Sequence, residues 1–317
     1  MNKLELSSEG RPRRVFARAS VGIVLFKPET SGVCHLLATI APSASAILLY
    51  LNSPIGPQVL DELKAAAGVT PLHLLGTSTN EGLGSAYNAF IQRSIDLGSE
   101  FLVLFDQDST PSNTIVEELA TSWQQLVGKG EKPALVGPLP IMQKGEPYKI
   151  ALKPGFPSHN SLEAVDFAIS SGSLIWLKAA VEIGPFREDF FIDGLDIEWG
   201  FRAWSQGWSV WVNTSCRMVH HLGRGALLLP FGLQLTDQPP QRIYTYLRNQ
   251  VAMMRLSHIP LPRKILLLPL LVTKGTIYIV HEGFSGAVIS AVFFGFVHGF
   301  TNKLGRPDRT YARANLK

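Results

Sequence analysis

The chain has 317 residues, of which 46% are hydrophobic and 17% are charged, and its formal net charge is a mild +4. A chain of this length can bury a large core, as one α/β domain with an extension or as two smaller domains. Its two cysteines, Cys34 and Cys216, exclude a disulfide framework and have no metal-like spacing, so we expect a reduced, cytosolic compartment. No apolar run precedes Val21, so no signal peptide is expected.

Cationic side chains are concentrated at the two ends of the chain. Such basic ends suit an anionic membrane surface or a nucleic acid, although solvated tails show the same pattern. The residues concerned are Lys3, Arg11, Arg13, Arg14 and Arg18 near the start, and Lys303, Arg306, Arg309, Arg313 and Lys317 near the end.

The first half of the chain alternates apolar strands with helical segments. We predict strands at 20–28, 46–54, 70–76 and from 101 to the acidic residues that follow, and helices within 30–45 and at 57–67, 84–98 and 112–127. Apolar strands that alternate with helices indicate a mostly parallel sheet covered on both faces. Ligands of such sheets bind beyond the carboxyl ends of the strands.

The second half has a different pattern of apolar and polar residues. Residues 166–184 indicate strands with a Ser-Gly-Ser turn and then the start of a helix, 190–208 a loop leading into a helix, and 209–223 a pair of strands. From residue 255 the chain is strongly apolar, and 283–302 contains no formally charged residue. That length is borderline for a membrane span, and its glycines and His298 favour helices that lie in the membrane interface or pack on the domain.

The stretch FLVLFDQDST at 101–110 ends a buried strand with two carboxylates, Asp106 and Asp108. Residues i and i+2 of an extended chain point to the same side, so both carboxylates can face one ion. Without a compensating cation, two such charges repel and are expensive to desolvate. Mg²⁺ and Mn²⁺ prefer carboxylates together with phosphate oxygens, so the pair predicts a divalent metal site, unless it simply lies in water at the strand end.

A glycine-rich stretch, NEGLGSAYN at 80–88, accompanies the start of the helix predicted at 84–98. Its glycines would let the backbone approach a phosphate or a nucleotide, although a loop at a helix N-terminus explains them equally well. The dinucleotide-binding fingerprint requires glycine or alanine where this chain has Tyr87, which disfavours a nicotinamide-dependent oxidoreductase.

A second acidic cluster, DGLDIEWGFR at 193–202, begins another predicted helix. Asp193 suits the N-cap and Asp196 the first turn of this helix. Glu198 and Arg202 are spaced for an i,i+4 ion pair, so a purely structural account exists for the whole cluster. The aromatic residues nearby would raise the pKa of a carboxylate and suit a general base; they are Phe190, Phe191, Trp199 and Trp204.

Two adjacent histidines, His220 and His221, follow the strands predicted at 209–223. A lone histidine is usually a structural residue with its hydrogen bonds satisfied. A histidine near an aspartate pair can instead complete a metal shell with a ring nitrogen, and the sequence leaves both alternatives open.

In this order, the segments resemble a family 2 glycosyltransferase of the GT-A fold, in its bacterial rhamnosyltransferase-like branch. The resemblance covers residues 20–255 and rests on VGIVLFKP, LNSP, NEGLGSAYN, DQDS, FFIDGLDIEWGFRAWSQG and MVHHLG. It implies an α/β fold with a mostly parallel central sheet flanked by helices. It also implies a basic tail at 1–19, a catalytic domain at 20–255 and an apolar, basic helical region at 256–317.

The resemblance further implies an inverting transfer from a nucleotide-activated sugar, with Mg²⁺ or Mn²⁺ neutralising the diphosphate leaving group. By position, the metal ligands would be Asp106, Asp108 and His220, with His221 as the alternative histidine. Asp196 would be the base, with Asp193 as its alternative. The nucleotide sugar would contact Asp106 together with Phe26, Asn52, Asn80, Gly82, Asn88, Trp199 and Arg202.

One position departs from the family pattern, because many relatives have Asp-Asn after the second strand and this chain has Leu51-Asn52. We expect dTDP-L-rhamnose as the donor, with a UDP-sugar or a non-catalytic sugar-nucleotide-binding homologue as alternatives. The expected acceptor is a saccharide linked to polyprenyl diphosphate, in the synthesis of a surface polysaccharide such as O-antigen. The C-terminal region implies peripheral binding to the cytoplasmic face of the inner membrane, no nucleic-acid partner, and a possible homo-oligomer.

Overall fold

The computed structural model describes residues 18–143, 145–220, 226–228 and 234–307. The strands are β1 (Ala19–Leu25), β2 (Ala46–Leu51), β3 (Leu72–Leu75), β4 (Phe101–Asp106), β5 (Pro133–Ile141), β6 (Leu162–Ala164), β7 (Leu174–Trp176), β8 (Ser209–Val219), β9 (Ala226–Leu228) and β10 (Gln234–Thr236). The helices are α1 (Thr30–Ile40), α2 (Pro57–Ala67), α3 (Gly82–Asp96), α4 (Ile115–Gly128), α5 (Leu177–Ile183), α6 (Leu195–Ser205), α7 (Pro240–Met253), α8 (Leu261–His281) and α9 (Gly286–Phe300).

An eight-stranded sheet with the order β3-β2-β1-β4-β7-β5-β8-β6 forms the centre of the fold. Strands β1 to β4 are parallel, with β1 between β2 and β4, and β5 and β8 form a second parallel pair. Strand β7 joins the two parallel groups in the antiparallel direction, and β6 lies antiparallel at the far edge. The mostly parallel sheet predicted from the sequence is therefore confirmed.

Helices cover both faces of this sheet. In β2, Leu48 and Tyr50 belong to the core cluster that contains residues of α3, α5 and α6. The alternate residues Ile47 and Leu49 belong to the opposite cluster, with residues of α1, α2 and α4. Because successive side chains of a strand point to opposite faces, burial of both faces requires an apolar residue at nearly every position. This explains the continuous apolar runs of the first half.

The strand pair predicted at 209–223 is wrong over the described residues, because β8 is one strand of 11 residues, Ser209–Val219. Its register against β5 shifts between the pairs Pro138↔Asn213 and Leu139↔Arg217, so extra residues of β8 bulge out. Asn213 Oδ1 accepts the N–H groups of Ser215 (2.9 Å) and Cys216 (3.3 Å) within this bulge. The turn-forming sequence thus makes a bulge and leaves the strand continuous.

Helices α7, α8 and α9 form a separate layer with its own apolar cluster. Gly299 of α9 lies against α7, where an added Cβ would come within 2.6 Å of Val251 Cβ. Gly295 is similarly close, 3.0 Å from Leu247 Cβ, and the imidazole Nδ1 of His298 hydrogen-bonds the Tyr244 hydroxyl at 2.7 Å. Gly295, Gly299 and His298 of the uncharged segment therefore serve helix packing.

The outer faces of α8 and α9 remain apolar and exposed. Ile265 and Leu266 of α8 are 64% and 69% exposed, and Phe293 of α9 is 59% exposed. Among the described helices, α8 alone is long and apolar enough to cross a membrane, with 21 residues and a mean hydropathy of 1.4, a criterion of length and composition only.

Gly299→Ala should lower the melting temperature, although alanine favours a helix over glycine by about 1 kcal/mol. The new methyl group would lie 2.6 Å from Val251 Cβ and 2.7 Å from the Arg248 carbonyl oxygen, so α7 and α9 would have to separate. Overpacking of this kind destabilises by about 1–3 kcal/mol. Thermal unfolding followed by circular dichroism measures the change.

The matched control is Gly286→Ala on the same helix, where an added Cβ meets nothing within 4 Å. It should leave the melting temperature unchanged or raise it. Equal stabilisation by both substitutions would contradict close packing of α9 on α7.

Candidate active site

The acidic motif lies where β1 and β4 end side by side, with Asp106 paired in register with Val24. Between the two acids, Gln107 bridges the strand ends: its Oε1 accepts the Phe26 N–H at 2.9 Å and its Nε2 donates to the Phe26 carbonyl at 3.1 Å. Phe26 is 45% exposed beside this bridge. The middle residue of the motif therefore positions Asp106, and an exposed ring stands next to it.

Asp106 lies in partly enclosed surroundings, although its side chain is 40% exposed. Its backbone N–H donates to Ser171 Oγ at 3.0 Å, and that hydroxyl also contacts Ser109 Oγ at 2.8 Å. Burial raises the pKa of Asp106, His220 opposes the rise, and the Asp108 carboxylate adds to it. The Asp108 charge thus disfavours ionisation of Asp106, as the sequence predicts for two neighbouring carboxylates.

His220 reaches the acidic motif because the chain around it runs beside β4. A bridge between Thr110 and Val219 joins the two segments, and the His220 N–H donates to the Ile141 carbonyl at 3.0 Å. His220 Nδ1 then lies 3.9 Å from Asp106 Oδ2, with the imidazole 11% exposed. The structure brings together a carboxylate and an imidazole that are far apart in sequence.

These residues fit a divalent cation in part. Within the described ranges, no three His, Cys, Asp or Glu side chains are grouped as a metal site, and Asp108 is exposed at the surface. His221 lies outside the described residues. Carboxylate oxygens with an imidazole nitrogen do suit Mn²⁺ or Mg²⁺, and a cation would offset both the burial and the Asp108 charge that raise the pKa of Asp106.

Asp196 occupies the first turn of α6 and lines a small cavity. Burial raises its pKa to about 6, the hydrogen bonds from backbone N–H groups oppose this, and Asp193 and Asp106 add to it. One of those bonds comes from the Ile197 N–H at 2.9 Å. The cavity is lined by Leu104, Ala168, Ser170, Phe186 and Trp199, among others. A carboxyl group that titrates near neutral pH can accept a proton efficiently.

Tyr87 stands between the two acidic clusters, and the sequence did not predict it as a site residue. It is 5% exposed, and its hydroxyl hydrogen-bonds the Ser170 side chain. Burial raises the pKa of Tyr87, and the charges of Asp106 and Asp196 raise it further. The only signal in the sequence was an aromatic residue where the dinucleotide fingerprint requires a small one.

Asp193 is already paired, which argues against it as the alternative base. Arg242 of α7 donates to its carboxylate through Nε (3.0 Å) and Nη2 (2.6 Å), and Thr245 Oγ1 donates at 2.5 Å. The Asp193 side chain is only 7% exposed. The Asp193 carboxylate is already occupied by these charge-assisted hydrogen bonds, so the geometry favours Asp196 as the proton acceptor.

Trp199 and Arg202, predicted to contact the nucleotide sugar, have structural contacts instead. Trp199 is 1% exposed, stacks on Phe186 and donates its Nε1–H to the Gly184 carbonyl at 3.2 Å. Arg202 pairs with Glu198 through Nε (3.0 Å) and Nη2 (2.9 Å), and its Nη1 donates to the Ile183 carbonyl at 3.0 Å. Every nitrogen of this guanidinium is used internally, which argues against a ligand contact.

The loop before α3 is held by asparagine side chains. Asn52 is 4% exposed, its Oδ1 accepts the Glu81 N–H at 3.1 Å, and its Nδ2 lies 3.3 Å from the Gly82 carbonyl. Asn80 Oδ1 accepts the Gly82 N–H at 3.1 Å. Asn52 and Asn80 therefore shape the loop, and their contact with a nucleotide stays a prediction.

The glycines of the same stretch allow protein backbone to approach. Gly82 has φ +88°, and a Cβ there would come within 2.5 Å of the Phe191 carbonyl oxygen. Asn88 Oδ1 accepts the Phe186 N–H at 2.8 Å, and its Nδ2 donates to the Phe186 carbonyl at 3.0 Å. The stretch at 80–88 thus packs against the segment that leads to Asp193. This packing explains why the stretch contains glycine and asparagine.

Comparisons with known proteins agree with this fold. No protein-family model matches the chain. The dTDP-rhamnosyl transferase RfbF of Shigella flexneri is 26% identical over 247 residues, which cover 75% of this chain and 80% of RfbF.

Among solved structures, the chain is similar to the mannosyltransferase PcManGT from Pyrobaculum calidifontis in complex with GDP-Man and Mn²⁺, with a TM-score of 0.54, 11% identity, and coverage of 90% of this chain and 88% of that one. It is also similar to S. aureus TarS 1-349 in complex with UDP-GlcNAc, with a TM-score of 0.56, 12% identity, and coverage of 89% and 81%.

GalNAc-T7 with UDP, GalNAc and Mn²⁺ gives a TM-score of 0.57 at 13% identity. That match covers 80% of this chain but only 51% of GalNAc-T7, so the chain corresponds to about half of that protein. The resemblance predicted from the motifs is confirmed: the chain has the GT-A glycosyltransferase fold, and its sequence is similar to that of a dTDP-rhamnosyl transferase.

Proposed function

We propose that this protein is an inverting transferase that moves a deoxyhexose, L-rhamnose from dTDP-L-rhamnose, onto a saccharide linked to polyprenyl diphosphate or onto a growing surface polysaccharide. The observation that carries the proposal is the enclosed Asp196 carboxyl, with a pKa near 6, placed within electrostatic range of the acidic motif at the end of β4. A module that only binds sugar nucleotides has no need of such a base, so the geometry favours an enzyme over a non-catalytic homologue.

In the proposed reaction, an oxygen of the acceptor hydroxyl forms the new bond to the anomeric carbon of the sugar. Asp196 accepts the hydroxyl proton as this bond forms. The bond from the anomeric carbon to the diphosphate oxygen breaks, and the diphosphate leaves with the electron pair. A single displacement of this kind inverts the anomeric configuration.

Asp106 and His220 would hold Mg²⁺ or Mn²⁺, with Asp108 as a further ligand. When bound, the cation supplies positive charge that stabilises the diphosphate as it leaves. The protein residues around it have other tasks. Gln107 holds Asp106 at the strand end, and the exposed Phe26 ring offers a surface for stacking the nucleotide base.

The choice of dTDP-L-rhamnose is supported by the similarity to RfbF at 26% identity. A UDP-sugar is the alternative, because TarS is similar in fold and is known in complex with UDP-GlcNAc. Leu51 stands where many relatives have an aspartate, and Asn52 is used to hold the loop at Glu81 and Gly82. Recognition of the base therefore falls to Phe26 and to backbone groups in this proposal.

A panel of nucleotide sugars tests the proposal directly. The purified protein should bind dTDP-L-rhamnose more tightly than UDP- or GDP-sugars, and binding should weaken at least tenfold when EDTA removes divalent cations. Isothermal titration with Mn²⁺ or Mg²⁺ and an assay of released dTDP measure these properties. Absence of metal-dependent binding for every sugar nucleotide of the panel would rule out the proposed function.

Asp196→Asn should lower kcat by about 100-fold or more while donor affinity changes little, because the substitution removes the base but keeps its shape. In the unaltered protein the base must be ionised, so kcat should rise with pH through about 6 and level off above it. Steady-state rates between pH 4.5 and 8.5 provide the profile.

Asp193→Asn serves as the comparison, since its carboxylate is already paired with Arg242. It should retain an inflection, moved to lower pH because the Asp193 charge contributes to the raised pKa of Asp196. Full activity of Asp196→Asn would show that the base is a different residue.

We also propose that the outer face of α8 and α9 binds the cytoplasmic leaflet as a peripheral membrane surface. The support is an exposed apolar face, which includes Phe293, Val297 and Phe300 at 59%, 36% and 51% exposure. The exposed cations Lys303 and Arg306 follow α9 directly. Apolar residues flanked by cations complement an anionic bilayer, and such a position would bring the site near a lipid-linked acceptor.

Flotation with phosphatidylglycerol-containing vesicles tests this surface. The protein should float with anionic vesicles and less with pure phosphatidylcholine, and Phe293→Ser with Phe300→Ser should weaken binding about tenfold. The control is Val69→Ser, at a fully exposed apolar residue between α2 and β3. Equal flotation of both variants would contradict the proposal. A dimer in solution in which a second copy of the chain buries this face would contradict it as well.

A further inference from the structure

The connection between α7 and α8, residues 254–260, packs beside α6, the helix whose first turn carries Asp196. Ile259 of this connection is 2% exposed and belongs to the core cluster that also contains residues of α6. At the end of α7, Met253 approaches the N-cap of α6, because a Cβ on Gly194 would lie 3.0 Å from Met253 Cε. The chain that leads into α8 and α9 is therefore part of the packing around α6.

A polar contact within this packing joins His258 of the connection to Glu198 of α6. His258 Nε2 lies 2.9 Å from Glu198 Oε1. The approach is not in line for a full hydrogen bond, and this nitrogen has no other partner among the described residues. The His258 side chain is 16% exposed and that of Glu198 only 2%, so the contact is largely shielded from water.

Glu198 is a buried carboxylate with two partners. Arg202, one turn along α6, donates to it through Nε at 3.0 Å and Nη2 at 2.9 Å, and His258 is the partner from outside the helix. Burial lowers the pKa of His258, the Glu198 charge opposes this, and the charges of Arg202 and Arg187 add to it. The imidazole is therefore neutral at pH 7, and in that form one ring N–H remains to serve the carboxylate.

The opposite face of α6 carries Asp196. Residues two positions apart lie about 200° apart around a helix, whereas residues four apart share a face, so Asp196 and Gly200 point away from Glu198. Both line the small cavity of the candidate site. A Cβ on Gly200 would lie 2.7 Å from the Asp166 carbonyl oxygen, so this face is closely packed. His258 thus contacts the rear of the helix whose front encloses the Asp196 carboxyl.

We propose that His258 is a positioning residue for Asp196: its contact with Glu198 fixes the rear face of α6 and so keeps the Asp196 carboxyl in place at the cavity. The inference rests on the proposed function, in which Asp196 accepts the proton of the acceptor hydroxyl. His258 acts through α6 and touches neither substrate. A base must lie within hydrogen-bond reach of its proton, and a misplacement of 1 Å lowers a rate by about 100-fold.

Charge compensation alone is the competing explanation. In that case His258 only stabilises the buried Glu198 carboxylate, and its loss lowers stability without changing the reaction of the folded protein. His258→Leu keeps the bulk of the side chain without a donor, and His258→Gln keeps a donor. The double variant His258→Leu with Glu198→Gln removes the carboxylate charge as well, so compensation predicts normal behaviour and positioning predicts a slow enzyme.

The kinetic test uses the release of dTDP from dTDP-L-rhamnose, expressed per donor-binding site. Isothermal titration of the full chain counts these sites, so that an unfolded fraction does not lower the apparent rate. His258→Leu and the double variant should each lower kcat by about 10- to 100-fold, while the donor Kd changes by less than about twofold. His258→Gln should recover most of the rate.

A second measurement needs no reaction. Carbon-13 NMR of labelled aspartate follows the pKa of the Asp196 carboxyl, whose signal is identified by its absence in Asp196→Asn. Burial raises this pKa to about 6, and the charges of Asp193 and Asp106 add to the rise. Both charges remain in the variants, so a lower pKa in His258→Leu reports water that enters beside the carboxyl as α6 moves. His258→Gln should keep the pKa near 6.

The matched control is His159→Leu, at a second pair of a histidine and a carboxylate. His159 Nε2 lies 3.0 Å from Glu131 Oε1, and both side chains are 20% exposed. His159 bridges to Leu162, the first residue of the edge strand β6, and contacts no residue of α6 through this pair. The variant should lower the melting temperature but leave both kcat per donor-binding site and the pKa of Asp196 unchanged.

Two outcomes overturn the inference. In one, either kcat per donor-binding site or the pKa of Asp196 is the same in His258→Leu as in the unaltered protein. In the other, His258→Gln is as impaired as His258→Leu. Failure of the proposed function has a different signature, because the unaltered protein then binds no sugar nucleotide, or Asp196→Asn remains fully active. The NMR comparison of the variants gives its result in either case, so the two failures are distinguishable.

Discussion

Repulsion between carboxylates gathered at one edge of the sheet is the constraint on which the rest of the structure depends. Burial raises the pKa of Asp106 and of Asp196; the Asp108 charge raises that of Asp106 further, and the charges of Asp193 and Asp106 raise that of Asp196 further. Two like charges 4 Å apart near a protein surface repel by about 4 kcal/mol, so the fold must separate, solvate or neutralise them. Asp193 is paired with Arg242, Asp106 has His220 beside it, and Asp108 lies in water. Among the described residues, the Asp196 carboxyl accepts hydrogen bonds from backbone N–H groups only. Their different surroundings explain how similar side chains acquire different chemistry.

Much of the fold was predictable, because its determinants are local. The alternation of apolar strands and helices predicted a mostly parallel sheet, and the acidic motif fell at the end of β4 because the apolar run stops there. The 209–223 stretch was misjudged, since the Asn213 side chain satisfies the backbone of a bulge and a turn has the same local composition. Whether such a side chain stabilises a bulge or a turn depends on pairing with the neighbouring strand as well as on the local sequence.

The candidate site was predictable in its acids and in His220, and their roles stay predictions. Asp106 and Asp196 stood out because carboxylates after buried or aromatic segments are unusual, but the residues that position them come from distant segments. Gln107 bridges to Phe26 across 81 positions, and Arg242 reaches Asp193 across 49. Tyr87 of α3 lies near Asp106 and Asp196. Its neighbours in the sequence do not indicate that it lies close to these carboxylates. Trp199 and Arg202 were assigned to a ligand because exposure cannot be inferred from residue type, and both are used by the core.

The loop that precedes Asp196 has a consequence for how the protein is made. Phe191 and Asp193 have φ values of +65° and +68°, a conformation that costs a non-glycine residue about 1–2 kcal/mol. Asn249 Nδ2 holds this backbone through the carbonyl oxygens of Phe190 and Ile192, which precede it by 59 and 57 residues. At roughly 5–20 residues per second, a ribosome needs several seconds to cover that interval. A nascent chain therefore contains all the acidic residues of the candidate site before α7, the helix that holds this loop, has been synthesised, and the candidate site is completed late in synthesis.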